Sequence, residues 1–235
     1  LNPVFFHYIT HKTPYVAMKY AMTADGKIAC HTGLSQWVTG ETARAHVQTL
    51  RHQYRGILAG IGTVLQDDPM LTCRMEGGRN PVRIICDSQL RIPLTSNLVR
   101  TAKEVPTIVA CASPMPDKRA ALEDLGITVL DLPGADGRVA LPALMAELGK
   151  REIDGILLEG GGGLNESMLR QGLVQKVYCY LAPKLFGGAE AKSPVEGRGV
   201  DCPEDCWQLS SPTCTPMGED LLLEYEVIQN VHRNH

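Results

Sequence analysis

Glu159 is followed by four consecutive glycines, Gly160 to Gly163, and then by Leu-Asn-Glu-Ser-Met-Leu, a segment able to open a helix. Ordered glycine carries an entropic penalty, so a run of four points to something that must approach the backbone closely. A helix N-terminus offers unpaired N–H groups and the positive end of the dipole, and the two together suit a phosphate. The plainer alternative is a tight strand-to-helix turn in which the glycines serve geometry alone. The run is not a dinucleotide fingerprint. Counting Gly-x-Gly-x-x-Gly from Gly160 puts Asn165 in the last place, and counting from Gly161 puts Glu166 there. No Lys-Ser/Thr pair follows, so it is not a Walker loop either.

Two more constellations have the same character. In "GILAGIGTVLQDDPMLTCR", from Gly56 to Arg74, an apolar run meets Gly60-x-Gly62-Thr63, then Asp67-Asp68-Pro69. The Thr63 hydroxyl is placed to cap a helix or to touch a phosphate, while Asp68 reads as part of a surface turn. In "KYAMTADGKIACHTGLSQWVTGETA", a run carrying Lys19 passes through Asp25-Gly26 to Ser35-Gln36-Trp37. An indole beside Ser and Gln suits an amphipathic, ligand-facing side chain; a core tryptophan near a helix cap is the alternative. Each loop follows an apolar run, and in open α/β sheets such loops gather where ligands bind.

The elements that must position these residues alternate. Strands are predicted at 16–22, 56–59, 82–86, 107–111, 127–130, 155–158 and 177–181. Helices are predicted over 41–53, 117–125, 141–149 and 164–171, with a short helical turn after Gly62. Ala43, Val47 and Leu50 make an apolar stripe on the first helix. Short uninterrupted runs such as "VRIIC" suggest strands buried on both faces of a helix-covered sheet. After Leu181 the alternation stops, and "WQLSSPTCTPMGEDLLLEYEVI" reads as two strands joined by a Pro-Met-Gly turn, an antiparallel edge hairpin. The fold class is α/β with a mixed, mostly parallel sheet flanked by helices.

Composition narrows the function. The 235 residues are 44% hydrophobic and 21% charged, with 23 Lys and Arg against 26 Asp and Glu, a formal charge of −3. That balance recruits neither nucleic acid nor a membrane surface. No apolar run approaches the roughly 18 residues of a membrane helix, and the N-terminus lacks the order of a signal peptide. A cytoplasmic protein is the expectation. Of eight cysteines, Cys30, Cys73, Cys86, Cys111 and Cys179 are scattered singly; Cys86, Cys111 and Cys179 sit in apolar runs, where a reduced thiol acts as a small hydrophobe. Cys202-x3-Cys206 with His232-x2-His235 matches no common zinc spacing, so no metal is expected.

Six segments in this order, "VAMKYAMTADGKIA", "SQWVTG", "GILAGIGTVLQDDPMLT", "RIICDS", "LLEGGGGLNESML" and "VYCYLAPKLFGG", resemble the reductase domain of the bifunctional riboflavin-biosynthesis deaminase/reductase. The match runs from Tyr15 to about Val227. The resemblance implies a dihydrofolate-reductase-like fold over 15–228, with 1–14 a connection from a deaminase domain and 229–235 a tail. Neither His-x-Glu nor Pro-Cys-x-x-Cys occurs, so the deaminase zinc site is absent. The chain, which starts with Leu1, is expected to be one part of a longer protein.

The implied reaction reduces the ribosyl group of 5-amino-6-(5-phosphoribosylamino)uracil to a ribityl group with NADPH. By resemblance, the cofactor side comprises Ala21, Trp37, Thr63, Asp67, Ser88 and the stretch Gly161, Gly162, Gly163, Leu164, Asn165, Glu166 and Ser167. The substrate side comprises Ser35, Arg51, Leu71, Arg74 and Glu159, with Lys19 and Glu159 catalytic. Arg51 and Arg74 suit the 5′-phosphate, because a guanidinium binds phosphate oxygens bidentately. "HTGLS" and the extra glycines depart from the family pattern and are expected to alter loop flexibility alone. A homodimer paired through the hairpin edge is also implied. Two other readings stay open: a related reductase acting on another pyrimidine or a pterin, and a non-catalytic nucleotide-binding domain. Assays on both pyrimidines, and NADPH oxidation itself, separate them.

Overall fold

Runs of aliphatic residues without polar interruption fold as strands buried on both faces, and this chain places them as the sequence predicts. A computed structural model describes residues 2–113 and 115–228; the tail at 229–235, with His232 and His235, lies outside the described residues. In chain order the elements are α1 (Pro3–His11), β1 (Tyr15–Thr23), α2 (Glu41–Gln53), β2 (Gly56–Gly60), α3 (Ile61–Asp67), β3 (Val82–Cys86), α4 (Asn97–Arg100), β4 (Thr107–Cys111), α5 (Pro116–Asp124), β5 (Thr128–Asp131), α6 (Leu141–Lys150), β6 (Gly155–Leu158), α7 (Gly162–Arg170), β7 (Lys176–Ala182), β8 (Gln208–Leu209), β9 (Thr213–Met217) and β10 (Asp220–Ile228). The chain divides into two compact units, residues 1–15 with 48–159, and residues 16–47 with 160–235.

In the first unit five parallel strands lie in the order β5-β4-β3-β2-β6. β4 and β6 are buried along their whole length. Ile57, Ile85, Leu98, Val109 and Leu122 meet in one apolar cluster, each contributing about 1.5–3 kcal/mol by leaving water. Arg83 of β3 is fully buried there. All five of its N–H groups donate, to the hydroxyls of Thr107 and Thr101 and to the carbonyls of Met70, Leu98 and Val105. Burial still pushes its pKa down to about 10.

The first helix falls where the sequence reading assigns only a connection. Asn2 caps α1 by accepting from Phe5 N at 3.3 Å, Pro3 occupies the first turn, and Lys12 ends it in the left-handed conformation. The Asn-Pro pair is its sequence signal.

The second unit holds β1 and β7 in parallel, β10 antiparallel to β7, and β9 antiparallel to β10. The expected C-terminal antiparallel hairpin is β9 with β10. A third strand, β8, pairs with the far end of β10. β10 lies between β7 and β9, so β9 is the outer strand of the hairpin. The turn is Gly218-Glu219, one residue later than the sequence suggests, with Gly218 at φ +70, a backbone conformation favouring glycine in a two-residue hairpin loop. No helix of the described residues is long and apolar enough to cross a membrane.

Candidate functional site

In the first unit, the last turn of α2 faces the end of β6. The Glu159 N–H donates to Leu58 O at 2.9 Å, continuing the ladder one residue past β6. Its carboxylate is gripped by Arg51, Nε to Oε1 at 2.8 Å and an Nη to Oε2 at 3.0 Å, with side chains only 14% and 11% exposed. The other Arg51 nitrogen donates to Thr72 O at 3.0 Å. One helical turn earlier, Gln48 Oε1 accepts from Arg74 N at 2.9 Å. Residues 72–74 are thereby laid along α2. Burial disfavours the Arg51 charge, but Glu159 more than offsets it, and the guanidinium pKa stands above its ordinary value.

These contacts limit what each side chain has left to offer a ligand. Arg51 spends three of its five donors inside the protein, leaving little for a bidentate grip on phosphate. Arg74 is held by its backbone while its side chain is exposed, the arrangement of a group available to a ligand. Leu71 does not offer its side chain to a substrate: it is buried in the apolar cluster, on a left-handed backbone with φ +48. Such a conformation costs a bulky residue about 1–3 kcal/mol and persists only where its surroundings enforce it; Arg83 holds the preceding carbonyl, Met70 O, at 3.2 Å.

Thr63 stands in the first turn of α3, whose cap is Gly60, so Thr63 is not the cap. Asp67 ends the helix on its exposed side. Asp68 follows in a left-handed C-cap, where its carboxylate accepts from Asn97 N at 2.8 Å, and its reading as a surface turn stands. Ser88, just past β3, accepts from Val139 N at 3.2 Å through its hydroxyl.

The second unit carries the other half of the expected residues. Residues two apart on a strand share a face, so Lys19 and Ala21 of β1 stand with Tyr178 and Tyr180 of β7. Lys19 Nζ lies 5.9 Å from the Tyr180 ring centroid. The buried Tyr180 hydroxyl is 2.7 Å from Nδ1 of His46 on α2. Trp37 is 56% exposed, which removes the core alternative, and Arg44 stacks on its ring at 4.6 Å. The segment bearing Ser35 and Trp37 is tied down by Lys184, which donates to Trp37 O at 3.1 Å and Val38 O at 2.7 Å.

The glycine run divides by role. α7 begins at Gly162, two residues before the predicted start, with Gly161 as a cap that supplies no side-chain bond. A side-chain carbon at Gly162 would come within 2.7 Å of Ser193 O and overlap Glu196, so that glycine is required by packing. At Gly161 and Gly163 a side-chain carbon would meet nothing within 4 Å, and Gly161 has an ordinary φ of −76. Neither conformation nor protein contact accounts for glycine at these two positions. Asn165 and Glu166 are buried, contrary to a direct side-chain role toward cofactor. Asn165 donates to Pro194 O at 2.8 Å and Glu166 accepts from Arg170 Nε at 2.7 Å, fixing the helix against 194–199. Leu164 and Ser167 are half-buried, and the Ser167 hydroxyl returns to Gly163 O.

Residues that the sequence reading did not single out include Tyr180, His46, Lys184 and Arg44. Tyr180 and Lys184 lie within "VYCYLAPKLFGG", a segment whose length was itself the available signal.

Comparison with known proteins identifies the family. The sequence profile of the RibD C-terminal domain matches residues 14–223. The chain is 52% identical over 228 residues to riboflavin biosynthesis protein RibD of Actinobacillus pleuropneumoniae, covering 97% of this chain and 61% of that one. It is 39% identical over 217 residues to the 2,5-diamino-6-ribosylamino-4(3H)-pyrimidinone 5′-phosphate reductase of Methanothermobacter thermautotrophicus, covering 91% of this chain and 98% of that one. Among solved structures, a deaminase/5-amino-6-(5-phosphoribosylamino)uracil reductase of Thermotoga maritima superposes with a TM-score of 0.78 at 29% identity, covering 96% of this chain and 60% of that one. The chain thus spans about three fifths of the two bifunctional-length relatives.

Proposed function

Because the chain belongs to the RibD C-terminal domain family, we propose that it reduces the ribosyl group of 5-amino-6-(5-phosphoribosylamino)uracil to the ribityl form, with NADPH as reductant. The observation that carries this reading is the start of α7: an N-terminus without a side-chain cap, flanked by Gly161 and Gly163 with open space where side chains would stand. Free helix N–H groups and that space fit a phosphate of the dinucleotide. When bound, the reduced nicotinamide supplies hydride to C1′ of the ring-opened imine. The residues' task is to orient that carbon in a dry pocket and to deliver a proton to its nitrogen.

Lys19 and Glu159 are assigned to that proton and to the charge that changes with it. Arg74 takes the 5′-phosphate, Ser35 and the Leu71 backbone border the substrate, and Arg51 orients Glu159. Ala21, Trp37, Thr63, Asp67 and Ser88 complete the cofactor side, and the polar turn at Ser88 would meet the 2′-phosphate that separates NADPH from NADH. A deaminase domain elsewhere in the parent protein and a homodimer belong to the same proposal.

The identity to the diaminopyrimidinone phosphate reductase, over nearly all of that protein, favours one second reading, in which the pyrimidine is not yet deaminated. Loss of reduced-nicotinamide absorbance, followed with each pyrimidine and each cofactor, tests both. Turnover with the uracil and NADPH above all other pairs is expected. Preference for the diamino compound would select the second reading, equal efficiency with NADH would remove the 2′-phosphate contact, and no turnover with either pyrimidine would overturn the proposal.

A further inference from the structure

We propose that His46 is a positioning residue for Lys19, acting through Tyr180; the proposal rests on the reading of Lys19 as a residue of the reaction site. Tyr180 is fully buried on β7, where its backbone is in register with Ala21 on one side and Leu222 on the other. The strand fixes one end of the side chain. Its hydroxyl, 2.7 Å from His46 Nδ1, is the other end, so this bond helps fix the line from β7 to His46 along which the ring lies.

Lys19 Nζ stands 5.9 Å from that ring's centroid, close to the roughly 6 Å limit within which a cation is held by a ring face. A swing of that line would lengthen this contact beyond the limit. His46 is itself steadied by α2, where Ala43 and Val47 are buried and the neighbouring Arg44 donates to Thr39 O at 2.6 Å. The order of action is helix, imidazole, phenol, ammonium. It needs no contact between His46 and any ligand.

A purely structural role, satisfying a buried hydroxyl, makes different predictions. Kinetics with NADPH and 5-amino-6-(5-phosphoribosylamino)uracil should show His46→Ala and Tyr180→Phe each lowering kcat by about fivefold to thirtyfold, with KM for both ligands within about twofold, the size of effect a lost cation–ring contact allows. His46→Asn, whose amide oxygen can take the place of Nδ1, should restore kcat to within about threefold of the parent. In a Lys19→Ala background, His46→Ala should add no further loss. In the ligand-free protein, nitrogen-15 spectra should show His46 protonated at Nε2, with the Nδ1 signal moving on Tyr180→Phe. Thermal midpoints identify any variant that fails to fold, and the His46 pair carries the test if Tyr180→Phe does. Full kcat in His46→Ala, equal loss in His46→Asn, or an undiminished effect without Lys19 would overturn the proposal while leaving the assigned reaction intact. Normal turnover by Lys19→Ala would overturn the catalytic reading of Lys19 and this inference with it.

Discussion

Arg51 donates to both carboxylate oxygens of Glu159, at 2.8 and 3.0 Å, across 108 residues of chain. Its remaining bond, to Thr72 O, ties that pair to the segment carrying Arg74. One guanidinium thus sets the direction of a carboxylate and the course of a loop. The two arginines of the expected substrate site are not equivalent: Arg51 is engaged with Glu159 and Thr72, whereas Arg74 is bound through its backbone and exposed.

Breaking this pair from one side should destabilise the fold. A single partner left behind in a buried pair costs about 3–5 kcal/mol, and the residual exposure of both side chains places Arg51→Met and Glu159→Leu near the lower end. The double variant should recover much of the loss, because apolar residues of similar size leave no charge behind. Urea unfolding of the three proteins measures this. Losses that simply add would show that the two residues do not stabilise each other.

The glycine run gives a second prediction because its members differ. Gly162→Ala should lower the thermal midpoint, since the new methyl collides with Ser193 O and Glu196. Gly163→Ala should leave stability unchanged or raise it by about 1 kcal/mol, as alanine replaces glycine within a helix turn. Gly161→Ala should be neutral for folding at its φ of −76. Both outer variants should nonetheless weaken NADPH binding measured by calorimetry. Unaltered affinity in both would remove the phosphate from this turn.

Asp25 supplies a pH test. The Thr23 hydroxyl donates to it at 2.5 Å, and Gly187 N and Phe186 N donate at 2.6 and 3.2 Å, which together hold its pKa down to about 2 against an ordinary 3.8. A carboxylate with a depressed folded pKa stabilises the fold above its unfolded value, and that contribution fades as pH falls through the folded one. Stability should therefore drop between about pH 4 and pH 2 more steeply in the parent than in Asp25→Asn. Carbon-13 titration of the Asp25 carboxyl should show a midpoint near 2; an ordinary midpoint would mean that these bonds are not kept in solution.

The strands of the parallel sheet were legible because their apolar runs have no competing period: "VRIIC", "TIVAC" and "GILL" become β3, β4 and β6 almost residue for residue. What was not legible came from contacts distant in sequence or from backbone conformation. Nothing local in "LTCR" announces that Leu71 adopts φ +48 with its side chain turned inward. The bond from Arg51 to Glu159 depends on α2 meeting the end of β6, which neither segment encodes alone. The sequence puts the start of α7 late because glycine has poor helix propensity, while the packing of Gly162 against residues 193–196 overrides it. The tryptophan is ambiguous in sequence for a different reason: an indole suits either a core or a surface, and its exposure in the fold decides.

The assigned residues should separate by kinetic role. Arg74, bound by its backbone and exposed at its guanidinium, is assigned to a phosphate remote from the reacting carbon. Arg74→Ala should raise the Michaelis constant through loss of a charge-assisted contact worth about 1.5–3 kcal/mol, with some loss of turnover if that contact also orients the sugar. Lys19→Ala and Glu159→Gln should instead depress kcat, by about 10²–10⁴ where a side chain transfers the proton, and leave NADPH affinity nearly unchanged. Arg51→Ala should follow Glu159→Gln rather than Arg74→Ala, because its bonds go to that carboxylate and not outward. Glu159 has a structural alternative, in which it steadies the glycine turn that follows it; Glu159→Gln would then weaken NADPH binding while single-turnover reduction stays near the parent rate. Single-turnover rates at saturating NADPH, set beside NADPH dissociation constants, decide between the two. If Arg51→Ala shifts only the Michaelis constant for the phosphorylated substrate, the guanidinium serves the ligand after all, and the pair with Glu159 opens when substrate enters.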